Sequence, residues 1–132
     1  MLKTAINPTF SDTDALGHIN HTVFPVWFEQ ARMEVFRIFH PSLDRDSWPL
    51  ILAKMEVDYL AQANWEHAII IKTFIDKIGS SSCTVLHEAW QEDRQVATGR
   101  VVLVQFDYRL DKSMAISEGI RQQLQQHLKK AL

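Results

Sequence analysis

From Phe24 to Phe39 large apolar side chains recur at every third or fourth position, and from Leu50 to Tyr108 the repeat falls to every second position. That single change of period constrains the chain more than any other feature, because the first pattern suits one helix and the second suits strands. Phe24, Trp27, Phe28, Ala31, Val35, Ile38 and Phe39 share one face, with Glu29, Gln30, Glu34 and Arg37 largely elsewhere. The helix starts at Asn20 or Thr22. With Thr22 as N-cap, Pro25 takes the third helical position, where its missing N–H costs nothing. Pro41 disfavours helical geometry at His40 and ends the helix there. So many aromatics on one element imply that other structure wraps around it.

Four strands are expected after the helix: Leu50 to Leu60, Ala68 to Ile78, Cys83 to Trp90 and Val96 to Tyr108, with Gln91 to Gln95 as a polar turn. Their short connections predict antiparallel neighbours. Lys3 to Thr9 adds a first strand, and Gly99 marks a bulge or a close backbone approach. Ser117 caps a peripheral C-terminal helix carrying Ile120, Leu124 and Leu128 on one side. The expectation is one α+β domain spanning residues 1–132, a long central helix in a curved antiparallel sheet of about five strands, with a C-terminal helix. A sheet this long on 132 residues leaves open edges, so a homodimer or homotetramer is expected.

Composition narrows the function classes. With 14 basic and 16 acidic residues the net charge is −2, which gives no basic field for nucleic acid. No stretch approaches the ~20 apolar residues of a membrane span. The lone Cys83 cannot form an intramolecular disulfide, and the first residues lead into no secretory pattern, so a cytoplasmic protein is expected. Cys83 lies in an apolar strand, where an inert thiol is the default.

Ionisable chemistry concentrates just ahead of the helix, in Ser11 to His21. Asp12-Thr13-Asp14-Ala15-Leu16-Gly17, then His18-Ile19-Asn20-His21, then Glu29-Gln30-Ala31-Arg32 resemble the signature of the hot-dog-fold acyl-CoA thioesterases, in the 4-hydroxybenzoyl-CoA thioesterase-like family. The similarity continues through Val57-Asp58-Tyr59-Leu60, Ile78-Gly79-Ser80-Ser81-Ser82 and Ala97 to Val104. The resemblance implies that Asp14 is the catalytic carboxylate, that the backbone N–H of His21 polarises the thioester carbonyl, and that Gly79, Ser80, Ser81 and Ser82 meet coenzyme A. The chemistry is coherent: thioester hydrolysis needs a base or nucleophile and a donor for the oxyanion, and a helix N-terminus supplies the second. Gly17 lets the loop turn tightly, and His18 and Asn20 support it.

Other readings stand beside these. Asp12 suits a turn residue, and Glu29 with Arg32 suits an ion pair on the helix face. The His21 ring either assists Asp14 or fills space. Phe24 stands where the family commonly has tyrosine. Lys72, Lys77, Arg94 and Arg109 are candidates for the coenzyme A phosphates. Asp14, His18 and His21 match no standard zinc spacing, so no metal is expected, and coenzyme A enters only as part of the substrate. The alternatives are a non-catalytic module binding acyl-CoA or acyl-carrier protein and a hydratase or dehydratase on the same fold.

Overall fold

The computed structural model describes residues 1–130. In chain order the elements are β1 (Leu2–Ile6), α1 (Val23–Ala31), α2 (Met33–Phe39), β2 (Leu50–Tyr59), β3 (Ile69–Ile78), β4 (Ser82–Gln91), β5 (Arg94–Asp107), β6 (Lys112–Ser113) and α3 (Glu118–Gln125). The antiparallel sheet runs β1-β3-β4-β5-β2, with the two-residue β6 against the end of β5. It curls around α1 and α2, which is a hot-dog fold.

β3, β4 and β5 are neighbours joined by tight turns, as their short connections predict. β2 is not beside β3. The nine residues between them carry the chain across the sheet, so β2 lies on the far edge against β5. Its alternation also breaks: the register shifts between Leu52 and Lys54, leaving Ala53 as an extra residue. Before this bulge the even-numbered Leu50 and Leu52 share a face with the buried Leu103; after it the odd-numbered Met55, Val57 and Tyr59 do.

The central helix forms as two pieces. Thr22 occupies the N-cap position, but its hydroxyl makes no cap bond and donates to Oδ1 of Asn20 instead (2.8 Å). Asn20 also accepts the Thr22 N–H, so it supplies the turn into the helix. At Arg32 the helical turn tightens, its N–H shared between the carbonyls of Phe28 and Glu29. The helix ends at His40, ahead of Pro41.

Two apolar clusters fill the space beneath the sheet. One gathers Phe24, Trp27, Phe28 and Ala31 of α1 against Ile69, Ile71, Ala89 and Ala97. The other gathers Val35, Phe36 and Phe39 of α2 against Ile75, Val85, Val101 and Leu124. Leu124 is fully buried, so α3 is a lid on this second cluster rather than a peripheral element. Ser117 caps it as expected, accepting the Ile120 N–H. Leu128 lies past the helix end and bridges Ile75, where β1 stops and the sheet edge would otherwise be open.

Gly99 belongs to no bulge: it pairs regularly with Val57 and His87. It is a close approach. A Cβ there would lie 2.7 Å from the ring of Phe28.

Candidate active site

Residues 12–20 form a closed loop. The Asn20 N–H donates to the Asp12 carbonyl (2.8 Å), Thr13 and Ile19 form a bridge, and the Ile19 N–H reaches the Ala63 carbonyl. Asp12 is a capping residue, its carboxylate accepting the N–H and hydroxyl of Thr9. Asp14 closes the tip: Oδ1 accepts the N–H groups of Leu16 (2.8 Å) and His18 (3.1 Å), while the Asp14 N–H donates to the His18 carbonyl. Gly17 sits at φ +83°, the left-handed conformation this turn needs. His18 therefore orders the loop through its backbone.

The second oxygen of Asp14, Oδ2, makes no hydrogen bond among the described residues. Beyond the loop, the His21 N–H also takes no acceptor among them, whereas the Val23 N–H is occupied by the Asn20 carbonyl. The loop thus presents a carboxylate held by one oxygen and free at the other, and an unpaired N–H at the entrance to α1. The His21 ring is exposed and forms no hydrogen bond with Asp14; it lies edge-on to Tyr59, 6.1 Å between centroids. Phe24 is buried among Trp27, Phe28 and Tyr59.

Gly79 to Ser82 form a reverse turn between β3 and β4. The Gly79 N–H donates to the Ser82 carbonyl, and the Gly79 carbonyl accepts from the Arg121 guanidinium. The carbonyls of Ser80 and Ser81 accept the N–H groups of Ile116 and Gln105. Within one chain this turn and the Asp14 loop are not brought together. The loop is anchored near the Ile69 end of β3 and the turn follows its Ile78 end, nine steps along a strand, or about 30 Å.

A family model of the thioesterase-like superfamily matches residues 8–124. The chain belongs to this superfamily. It is 27% identical over 103 residues to the acyl-CoA thioester hydrolase YbgC of Escherichia coli, covering 67% of this chain and 77% of that protein. Among solved structures, a predicted thioesterase from Bacillus stearothermophilus superposes with a TM-score of 0.94 at 37% identity, covering 98% of each chain. A thioesterase from Thermus thermophilus complexed with coenzyme A and zinc superposes with a TM-score of 0.83 at 27% identity, covering 93% of this chain and 96% of that one.

Other features of this thioesterase-like chain fall into place around the loop. Glu29 and Arg32 are not an exposed pair. Arg32 is 1% exposed and turns inward, Nη1 donating to Nε2 of His87 at 3.2 Å, while its Nε has no partner. Burial brings the guanidinium down to about 10, partly opposed by the nearby Glu29 carboxylate. Cys83 is buried, and burial pushes its thiol up to about 12, which leaves no thiolate for nucleophilic chemistry. Among the described residues no three His, Cys, Asp or Glu side chains gather as a metal site, and no helix is long and apolar enough to cross a membrane.

Of the candidate phosphate ligands, Lys72 lies over the Trp90 ring and Arg94 donates to the Gln62 carbonyl. Arg109 lines a cleft with Arg45, Trp48, Phe106 and Tyr108. Trp48 also borders an apolar cleft of about 470 Å³ with Met33, Phe36, Leu50, Leu52 and Leu103. That cleft opens at the Leu50 end of β2; the site loop meets β2 at Tyr59. Tyr59 lies within the Val57 to Leu60 stretch of the resemblance and shares the face of Met55 and Val57, but nothing in the sequence marks the bond from its hydroxyl to the His21 carbonyl.

Proposed function

We propose that the protein is an acyl-CoA thioesterase, hydrolysing an acyl-CoA thioester to a carboxylic acid and free coenzyme A. Asp14 acts as general base or nucleophile, and the His21 N–H polarises the thioester carbonyl. The observation that carries this reading is the asymmetry of the Asp14 carboxylate, with Oδ1 tied to two backbone N–H groups and Oδ2 free. As a base, Asp14 takes a proton from water while the water oxygen bonds to the acyl carbon. The C–S bond then breaks, the electron pair leaves on sulfur, and the proton returns to it. As a nucleophile, the same oxygen bonds to the acyl carbon as the C–S bond breaks and the electron pair leaves on sulfur; water then cleaves the anhydride, freeing the acid and the carboxylate while a proton goes to sulfur. Either route builds negative charge on the former carbonyl oxygen, where the unpaired N–H and the positive end of α1 are stabilising. Neither route calls on a metal.

The working unit in this reading is at least a homodimer joined through β2. That strand is a sheet edge, and Ile51, Leu52 and Tyr59 are each between 40% and 50% exposed on it. Antiparallel pairing about a two-fold axis sets the Leu50 end of one β2 against the Tyr59 end of the other. The apolar cleft and the Gly79–Ser82 turn of one subunit are then directed toward the Asp14 loop of its partner, where they take the acyl group and coenzyme A.

The test is free-thiol release across aromatic, short-chain and long-chain acyl-CoAs, with and without EDTA. Hydrolysis of at least one class, unchanged by EDTA, is the expected result. Tight binding without turnover would replace this reading with a non-catalytic acyl-CoA-binding module.

A further inference from the structure

We infer that Tyr59 is a positioning residue for this reaction, its hydroxyl fixing the orientation of the backbone N–H at His21 that faces the thioester carbonyl. The inference rests on the hydrolase reading and adds a residue to it. Two peptide groups flank His21 and together carry four polar groups. The Asn20 carbonyl accepts the Val23 N–H at 3.2 Å, and the Thr22 N–H donates to Oδ1 of Asn20 at 2.9 Å. The His21 carbonyl accepts the Tyr59 hydroxyl at 2.8 Å. Only the His21 N–H is left without a partner among the described residues.

The three anchors differ in kind. Those made by Asn20 and Val23 are local, spanning two or three residues, and they travel with the loop wherever it goes. Tyr59 is 38 residues away in sequence and belongs to β2. Its hydrogen bond refers the His21–Thr22 peptide, and through the His21 Cα the N–H beside it, to the frame of the sheet.

The Tyr59 ring is itself held. It meets the His21 ring edge-on at 6.1 Å and the Phe24 ring at 6.0 Å, and Phe24 is only 3% exposed in the core. The hydroxyl therefore approaches the His21 carbonyl from a fixed point, with the ring seated over the first turn of α1.

The arrangement matters because the two peptides meet at the His21 Cα: the N–H belongs to the Asn20–His21 unit and the carbonyl held by Tyr59 to the His21–Thr22 unit. If the second unit turns, the backbone at His21 turns with it and the N–H of the first is no longer held toward the substrate oxygen. Preorganised donors stabilise an oxyanion only if they need not reorganise during the reaction. By holding the His21 carbonyl on the β2 side, Tyr59 fixes the His21–Thr22 peptide and, through the shared Cα, restrains the neighbouring peptide that carries the N–H. It touches no reacting atom, and removing its hydroxyl alters the transition state more than the bound substrate.

The test is Tyr59→Phe, which keeps the ring and deletes only the hydroxyl. The variant is assayed as the wild-type oligomer, on an acyl-CoA that the wild type hydrolyses. The expected result is a fall in kcat of about tenfold, with KM within about twofold and Tm within about 2 °C of wild type. Asn20→Ala, which removes a local anchor, serves as a second variant and should lower kcat in the same way. Unchanged kcat in Tyr59→Phe overturns the inference while leaving the hydrolase reading intact, and a parallel loss of Tm and activity overturns it as mere structural support. A wild type that releases no thiol from any acyl-CoA overturns both.

Discussion

The guanidinium of Arg32, at the break between α1 and α2, donates to the imidazole of His87 on β4, and both side chains are 1% exposed. Arginine can only donate, so Nε2 of His87 accepts and its proton sits on Nδ1, 2.9 Å from the Thr73 hydroxyl. Phe28 stacks flat on the imidazole at 5.0 Å. His87 is thus a neutral acceptor for a buried cation. Burial, and then Arg32 itself, hold its pKa down at about 3, against an ordinary 6.5.

The acid stability of the fold follows. Between pH 6.5 and 3 the unfolded chain protonates this imidazole and the folded chain does not, so the unfolded state binds more protons and acidification favours it. The contribution is fully present above pH 6.5 and erodes by about 1.4 kcal/mol per pH unit below it. Thermal melts from pH 7 to pH 4 should show Tm falling more steeply in wild type than in His87→Gln, which cannot titrate. Parallel slopes would remove His87 from the account.

Gly99 supports the same cluster from the sheet side. An added methyl at Gly99 meets Cδ2 and Cε2 of Phe28 at 2.7 and 2.9 Å, and Phe28 is fully buried against His87, with little room to yield. Gly99→Ala should cost about 1–3 kcal/mol, read as an earlier midpoint in urea with an unchanged slope. Wild-type stability would mean that the Phe28 ring moves freely.

The β2 edge is testable without touching the catalytic groups. Leu52 is 45% exposed in the single chain, so Leu52→Lys costs the isolated subunit little. Across a two-fold interface the change is repeated, and burying two leucines fewer should weaken association by at least about tenfold. Sedimentation of the variant should show dissociation at concentrations where wild type stays assembled. A variant that assembles normally would place the interface elsewhere.

What was legible in the sequence was what is local. The period of three and four, Pro41 and Ser117 marked the helices, and the Asp14 loop could be read because its hydrogen bonds, apart from that of Ile19 to Ala63, link residues within about eight positions of one another. Long-range pairing was less legible. Nothing in the Leu50 to Tyr59 pattern says that β2 pairs with β5 rather than β3, and one extra residue at Ala53 inverts which side chains face the helix. Arg32 does carry a signal of its burial. It stands four positions after Phe28 and four before Phe36, both buried, so the spacing put it on the core face despite its charge. The partner across the core, His87, carried no signal in sequence.

Asp14→Asn isolates the free oxygen of Asp14 as the driver of thioester hydrolysis, because the asparagine oxygen still accepts the Leu16 and His18 N–H groups and so preserves the loop. The measurement is steady-state thiol release for wild type and Asp14→Asn side by side on the best acyl-CoA substrate. The expected result is a fall in kcat of at least about 100-fold with the fold and coenzyme A binding retained. Equal rates in the two proteins would contradict it.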